Sequence, residues 1–150
     1  MTNTNINTIL QAFRIRRNYY ATLLQLSQNQ QKYIAAEDYT QLLALLGEKQ
    51  QVLSRLEELH QQQPQLTQQW KACRNTIDEA TRSDAEHLLA EMESILTELK
   101  QEENESTNHL LVKKQMTEQE LQEITQGEQT HDAYRDQLGT VTHRYLNLET

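Results

Sequence analysis

Five histidines, His60, His87, His109, His131 and His143, and one cysteine, Cys73, are the side chains best suited to hold a metal or attack a substrate. A zinc site shows in sequence as closely spaced His or Cys pairs that a helix or turn can bring to one point. No two of these histidines stand at such a spacing on one face, and one cysteine makes no thiolate cluster. The acidic pairs Glu57–Glu58 and Glu102–Glu103 are candidates for acid–base work, yet adjacent residues of a helix point in different directions and cannot flank one bond. Glu57 and His60 have the Glu-x-x-His spacing of a di-iron bundle half-site, without a second copy to complete it. Gly47, Gly127 and Gly139 are too dispersed to build a backbone cradle for phosphate. The expectation is a non-enzymatic protein with no catalytic, cofactor-binding or metal-ligating residue, whose work is done by helical faces.

The composition says how those faces are made. Hydrophobic residues are 36% and aromatics 5%, and one Pro and three Gly interrupt the chain. Leu, Gln and Glu, which keep most of their rotamer freedom in a helix, are the commonest residues, with Ala alongside them. An all-α fold follows: an antiparallel helical bundle or long helical hairpin with coiled-coil-like packing and a loosely anchored C-terminal helix. Ile6, Phe13, Tyr20 and Ile34 fall at multiples of seven, with Ile9, Leu10, Leu23 and Leu24 beside them, and read as a first helix over about 4–34. After a break at 35–38, where Asp38 suits an N-cap, Tyr39, Leu42, Leu46, Lys49, Leu53 and Leu56 step by three and four over 38–61. Leu43, Leu45, Val52 and Leu59 widen that stripe, as if two faces were covered. Pro64 ends this helix and opens a third over 64–80, a connector carrying Leu66, Trp70, Cys73 and Ile77.

The spacing of Ser83 and Glu86 matches a capping box and places a fourth helix over 84–126. Its stripe of Leu88, Leu89, Met92, Ile95, Leu96 and Leu99 fails over 100–109 and returns at Leu110. The stretch between reads as one helix passing through solvent or as two helices with a soft join. Gly127 suits a left-handed C-cap. The domain reading is a bundle over 1–127 and a short amphipathic helix or flexible tail over 128–150, with Tyr134, Leu138, Val141, Tyr145 and Leu148 on one stripe.

The formal charge of −8 argues against nucleic acid, because neutralising phosphates needs a basic footprint. Its distribution is uneven. Arg14, Arg16, Arg17 and Lys32 are the only charged residues before Glu37, whereas Asp84 to Glu105 holds eight acids and one Lys. A basic first helix beside an acidic fourth one is the simplest arrangement; a basic docking surface is the alternative. No apolar run approaches the roughly 20 residues of a membrane span, and no charged segment followed by an apolar one opens the chain, so a cytoplasmic protein without membrane insertion is expected. Cys73, among helix-compatible residues near Trp70 and Ile77, fits a buried apolar role.

What remains is interaction surface. Leu110, Leu111, Met116, Leu121 and Ile124 on the distal fourth helix, with Tyr134 and Leu138 in the tail, are the candidate partner-binding residues, since a loosely held amphipathic helix suits helix-in-groove recognition. The alternative is that they pack inside the bundle.

The segment from Tyr39 to Leu59, in which Leu42-Leu43-Ala44-Leu45-Leu46 precedes Glu48-Lys49-Gln50 and a further leucine run, resembles the second-helix signature of FlgN-type flagellar export chaperones. Asn104 and Asn108 followed by Leu110 and Leu111 are similar to that family's Asn-x-x-x-Asn and leucine stretch, and the likeness spans about residues 5–125. The resemblance implies a cytoplasmic antiparallel bundle, monomer or homodimer, that binds the C-terminal helical segments of hook–filament junction proteins, or a filament-cap protein, and delivers them to an export-gate component. It further implies that a tyrosine near the end docks at the gate, for which Tyr134 is the matching position. A structural coiled-coil or adaptor protein is the rival reading.

Overall fold

The computed structural model describes residues 2–127. They form four helices and no strand: α1 (Thr2–Ala35), α2 (Tyr39–Gln62), α3 (Leu66–Cys73) and α4 (Glu79–Gly127). The described residues fall into two compact units that part between Thr107 and Asn108, with α4 contributing to both. The fold class is the all-α bundle expected from composition and periodicity.

In the first unit, α1 supplies the spine. Ile9, Phe13, Arg16, Leu23, Ser27, Gln30 and Ile34 are buried, and half-buried Tyr20 fills the remaining place in a four–three–four stepping. That spacing of 3.5 residues keeps one seam facing its neighbours along the helix. The polar pairs fix the directions. Arg16 meets Gln63 while Gln30 meets Lys49, so α2 runs antiparallel to α1; Arg17 meets Glu91 while Ser27 meets Glu103, so this part of α4 runs parallel to α1. The densest apolar cluster lies where Ile6, Ile9, Leu10 and Phe13 pack with Leu66 and Trp70 of α3 and Ala85, Leu88 and Met92 of α4. There Phe13 and Trp70 meet edge to face, centroids 5.9 Å apart at 78°. Cys73 and Ile77 are half-buried against this cluster, and Cys73 is a free thiol.

The break at 35–38 has a defined geometry. Glu37 takes φ 56°, the Asp38 N–H donates to Tyr33 O at 3.0 Å, and the Glu37 N–H donates to Ile34 O at 3.1 Å. This pair of bonds is the Schellman closure, with a glutamate at the position that favours glycine. Asp38 also caps α2, its Oδ1 accepting from the Gln41 N–H at 3.2 Å. One residue therefore ends α1 through its backbone and starts α2 through its side chain.

Three local expectations are corrected. The third helix is shorter than 64–80: Pro64 and Gln65 form a turn before Leu66, and the chain leaves helix after Cys73. The fourth helix begins at Glu79, not near 84, because Asp78 is the cap, accepting from the Thr81 N–H at 3.1 Å and its Oγ1 at 2.6 Å. These bonds from Thr81 hold the Asp78 carboxyl below its usual range, and Ser83 and Glu86 lie within the helix. Gly127 is itself the last residue of α4, and no described glycine has a positive φ.

Because Glu37 sits in the left-handed region, where a Cβ costs about 1 kcal/mol or more, Glu37→Gly is expected to stabilise the fold by about 1 kcal/mol. Thermal unfolding followed by circular dichroism should show a rise of roughly 2–4 °C. A fall would mean that the glutamate side chain contributes more than the strain removes.

Candidate functional site

The polar interruption of the α4 stripe is a layer of the first unit. Its residues continue the heptad: after Ala85, Leu88, Met92, Ile95 and Leu99, the seam positions are Glu102, Glu103 and Ser106. Glu103 faces Ser27 of α1 and Lys49 of α2, and Ser106 is buried one turn further along. The Lys49 ammonium, nine-tenths buried on α2, donates to Gln30 Oε1 at 2.7 Å and to Glu103 Oε1. Ser27 Oγ donates to the same carboxylate at 2.6 Å, and Gln31 Nε2 reaches Glu102 and Glu105. Ser106, almost fully buried, has no hydrogen-bond partner for its Oγ among the described residues. The stretch is thus one continuous helix whose inward face is charged.

Burial alone would raise the Glu103 carboxyl, but the hydrogen bonds from Lys49 and Ser27 and the ammonium's charge outweigh it and hold the carboxyl below its usual range. The anionic form therefore belongs to the folded state. The arrangement ties α1, α2 and α4 together through one layer of polar contacts.

Arg16 forms the second buried cationic point. Its Nη1 donates to Gln63 Oε1 at 2.9 Å and its Nη2 to Leu59 O at 3.2 Å, at the C-terminal end of α2, where the helix dipole favours a cation. Burial acts against its charge. Beside it an open groove of about 750 Å³ is lined by Phe13, Tyr20, Leu66, Met92, His60 and Lys100. Arg17, by contrast, is half-exposed and pairs with Glu91 at 2.9 Å, so the basic first helix does meet acidic α4 at this point. Among the described residues no three His, Cys, Asp or Glu side chains converge as a metal site, and no helix is long and apolar enough to cross a membrane.

The distal part of α4 is where the candidate residues lie. Leu110 is 39% exposed, Leu111 50%, Met116 56% and Ile124 47%, while Leu121 is half-buried. At about 100° per residue, Leu110, Leu121 and Ile124 share an arc of roughly 60°. Leu111 and Met116 point away from that arc and from each other. The structure thus joins three candidates into one face and separates two. Tyr134 and Leu138 lie outside the described residues.

The second helix holds a face that the stripe reading merged with the core. Its buried residues are Leu42, Leu45, Lys49 and Leu56, whereas Tyr39, Leu43, Leu46 and Leu53 are 48, 70, 41 and 46% exposed. The three–four stepping that linked Tyr39, Leu46 and Leu53 to Leu42 ran across two neighbouring seams. No protein-family model, curated protein or solved structure matches the chain.

The depressed Glu103 carboxyl gives a pH dependence with a definite sign. Its contribution to stability is present above the ordinary glutamate pKa and is lost as pH falls through the lower folded-state value. Acid titration of Glu103→Gln should therefore show a smaller loss of stability below about pH 4.5 than the parent chain, and at neutral pH the variant should be the less stable, having left the Lys49 charge unbalanced. Equal acid sensitivity of the two chains would remove Glu103 from the account.

Proposed function

We propose that this chain is a cytoplasmic, non-enzymatic flagellar export chaperone. The distal face of α4 binds the C-terminal helical segment of a hook–filament junction protein, keeps it from assembling early and delivers it to the export gate. The observation that carries the reading is the run of large apolar side chains left exposed after Leu110, in a unit separate from the core of residues 1–107. An assembly helix presents an apolar stripe of its own, and a helical face bearing Leu110, Leu121 and Ile124 covers it without cofactor or chemistry. Burial at about 25 cal/mol per Å², less the cost of ordering both partners, drives the association. The resemblance of the α2 segment Tyr39 to Leu59 to the FlgN-type signature supports the choice of partner, and Tyr134 is the residue proposed to dock at the gate.

A structural coiled-coil role is the second reading, favoured by the continuous heptad seam of the first unit. The two differ in what the distal unit does. In the chaperone reading, Leu110→Glu combined with Leu121→Glu keeps helicity and melting temperature while binding of a purified junction-protein C-terminal peptide, followed by fluorescence anisotropy, falls at least about tenfold, or 1.4 kcal/mol. A 1–109 truncation should stay folded and lose the peptide in the same way. If the double variant unfolds together with losing the peptide, these leucines are core. If no junction or cap peptide binds the parent chain, the structural reading takes over.

A further inference from the structure

The outer face of α2 has no use inside the first unit. Tyr39, Leu43, Leu46, Gln50, Leu53 and Glu57 step by four, three, four, three and four, and all six are exposed. This is a second seam of heptad period beside the buried one. Next to it stands Gly47, in mid-helix, where glycine is less favourable than any residue but proline. Nothing in the fold requires it: its φ is not positive, and a Cβ there would meet nothing within 4 Å. A bare helical backbone flanked by exposed leucines permits close approach of something from outside.

We propose that this face is the two-fold interface of a homodimer, in which α2 of one copy packs antiparallel on α2 of another. The argument is self-complementarity. A two-fold contact matches one patch against itself, so residue i meets j and j meets i. In an antiparallel pair centred on this seam, Leu43 of each copy meets Leu53 of the other, Leu46 meets Gln50, and the Tyr39 hydroxyl meets the Glu57 carboxylate as donor to acceptor. Gly47 meets its own copy at the axis, flanked by Thr40 and Ser54, so small side chains line the edge where the backbones close. The parallel alternative sets Glu57 against Glu57, aligns the helix dipoles unfavourably and puts the two glycines on opposite flanks. Charge agrees with the choice: a chain of net charge −8 resists self-association, yet Glu57 is the one charged residue of this seam, and the antiparallel register gives it a donor. The inference concerns the first unit alone and stands apart from the export-chaperone reading.

Sedimentation equilibrium of the full chain tests it, with three variants alongside. The parent chain should show twice the 17.6 kDa mass of one chain. Gly47→Met should sediment as a monomer with an unchanged or higher melting temperature, since the side chain enters open space in the free chain and the glycine penalty is removed. Leu43→Glu should also be monomeric and folded. Gly47→Cys in a Cys73→Ser background should form a disulfide-linked dimer on mild oxidation, which the parallel arrangement would not allow. A monomeric parent chain at submillimolar concentration overturns the proposal, and so does a dimer that survives both Gly47→Met and Leu43→Glu.

Discussion

The Lys49 ammonium is the point on which the register of the first unit depends. It is carried by α2, accepted by Gln30 of α1 and paired with Glu103 of α4, so one buried charge touches all three long helices. A leucine seam tolerates sliding by a heptad at modest cost, because one leucine replaces another. A buried ammonium does not: moved one heptad along α1 it would face Leu23, without an acceptor, and a buried charge without a partner costs several kcal/mol. Such a layer adds little net stability compared with an apolar one of the same volume. Its effect is to make the alternatives worse, the best-attested role of polar residues at seam positions.

From that layer the rest of the unit divides by what each end must do. Toward the start of α1 the seam is apolar and α3 folds across it, with Trp70 against Phe13, forming the dense cluster. Toward the end of α1 the turn at 35–38 must reverse the chain within a few residues and supply partners to the ends of two helices. Asp38 meets both demands by serving the two helices at once. Arg16 does similar work at the opposite end of α2, where a guanidinium among neutral acceptors balances the helix C-terminus.

The sequence made the four-helix plan legible because helix formers are dense and punctuation is sparse. Period, break and cap coincide at Asp38, and Pro64 marks the end of α2. What it hid has two physical causes. First, Asp78 and Ser83 both offer N-caps to the same run of helix formers, and the carboxylate that reaches Thr81 twice takes the start of α4. Second, hydrophobicity stands in poorly for burial where a seam turns polar. The stretch 100–109 looked solvated because its residues are charged, yet Glu103 and Ser106 occupy inward positions. The signal that could have revealed this was Lys49, a cation standing at a core spacing in a leucine-rich helix and asking for a partner. The candidate face on distal α4 was read from the return of apolar residues after the polar stretch; which of its leucines share an arc needed only the helical angle, while Tyr134 and Leu138 fall outside the described residues.

The same misreading on α2 is the more instructive. A stripe of Tyr39, Leu42, Leu46, Lys49, Leu53 and Leu56 looks like one amphipathic face, but the helix is apolar over more than half its circumference, and any three–four path through it finds leucines. The fold resolves the ambiguity by burying Leu42, Leu45, Lys49 and Leu56 and leaving Leu43 the most exposed large apolar residue among those described. A soluble helix that needed only one covered face would gain from polar residues at 43, 46 and 53, since replacing them would cost the core nothing. Exposed leucines at these positions, beside an otherwise unfavourable Gly47, are what the proposed self-contact of this face accounts for.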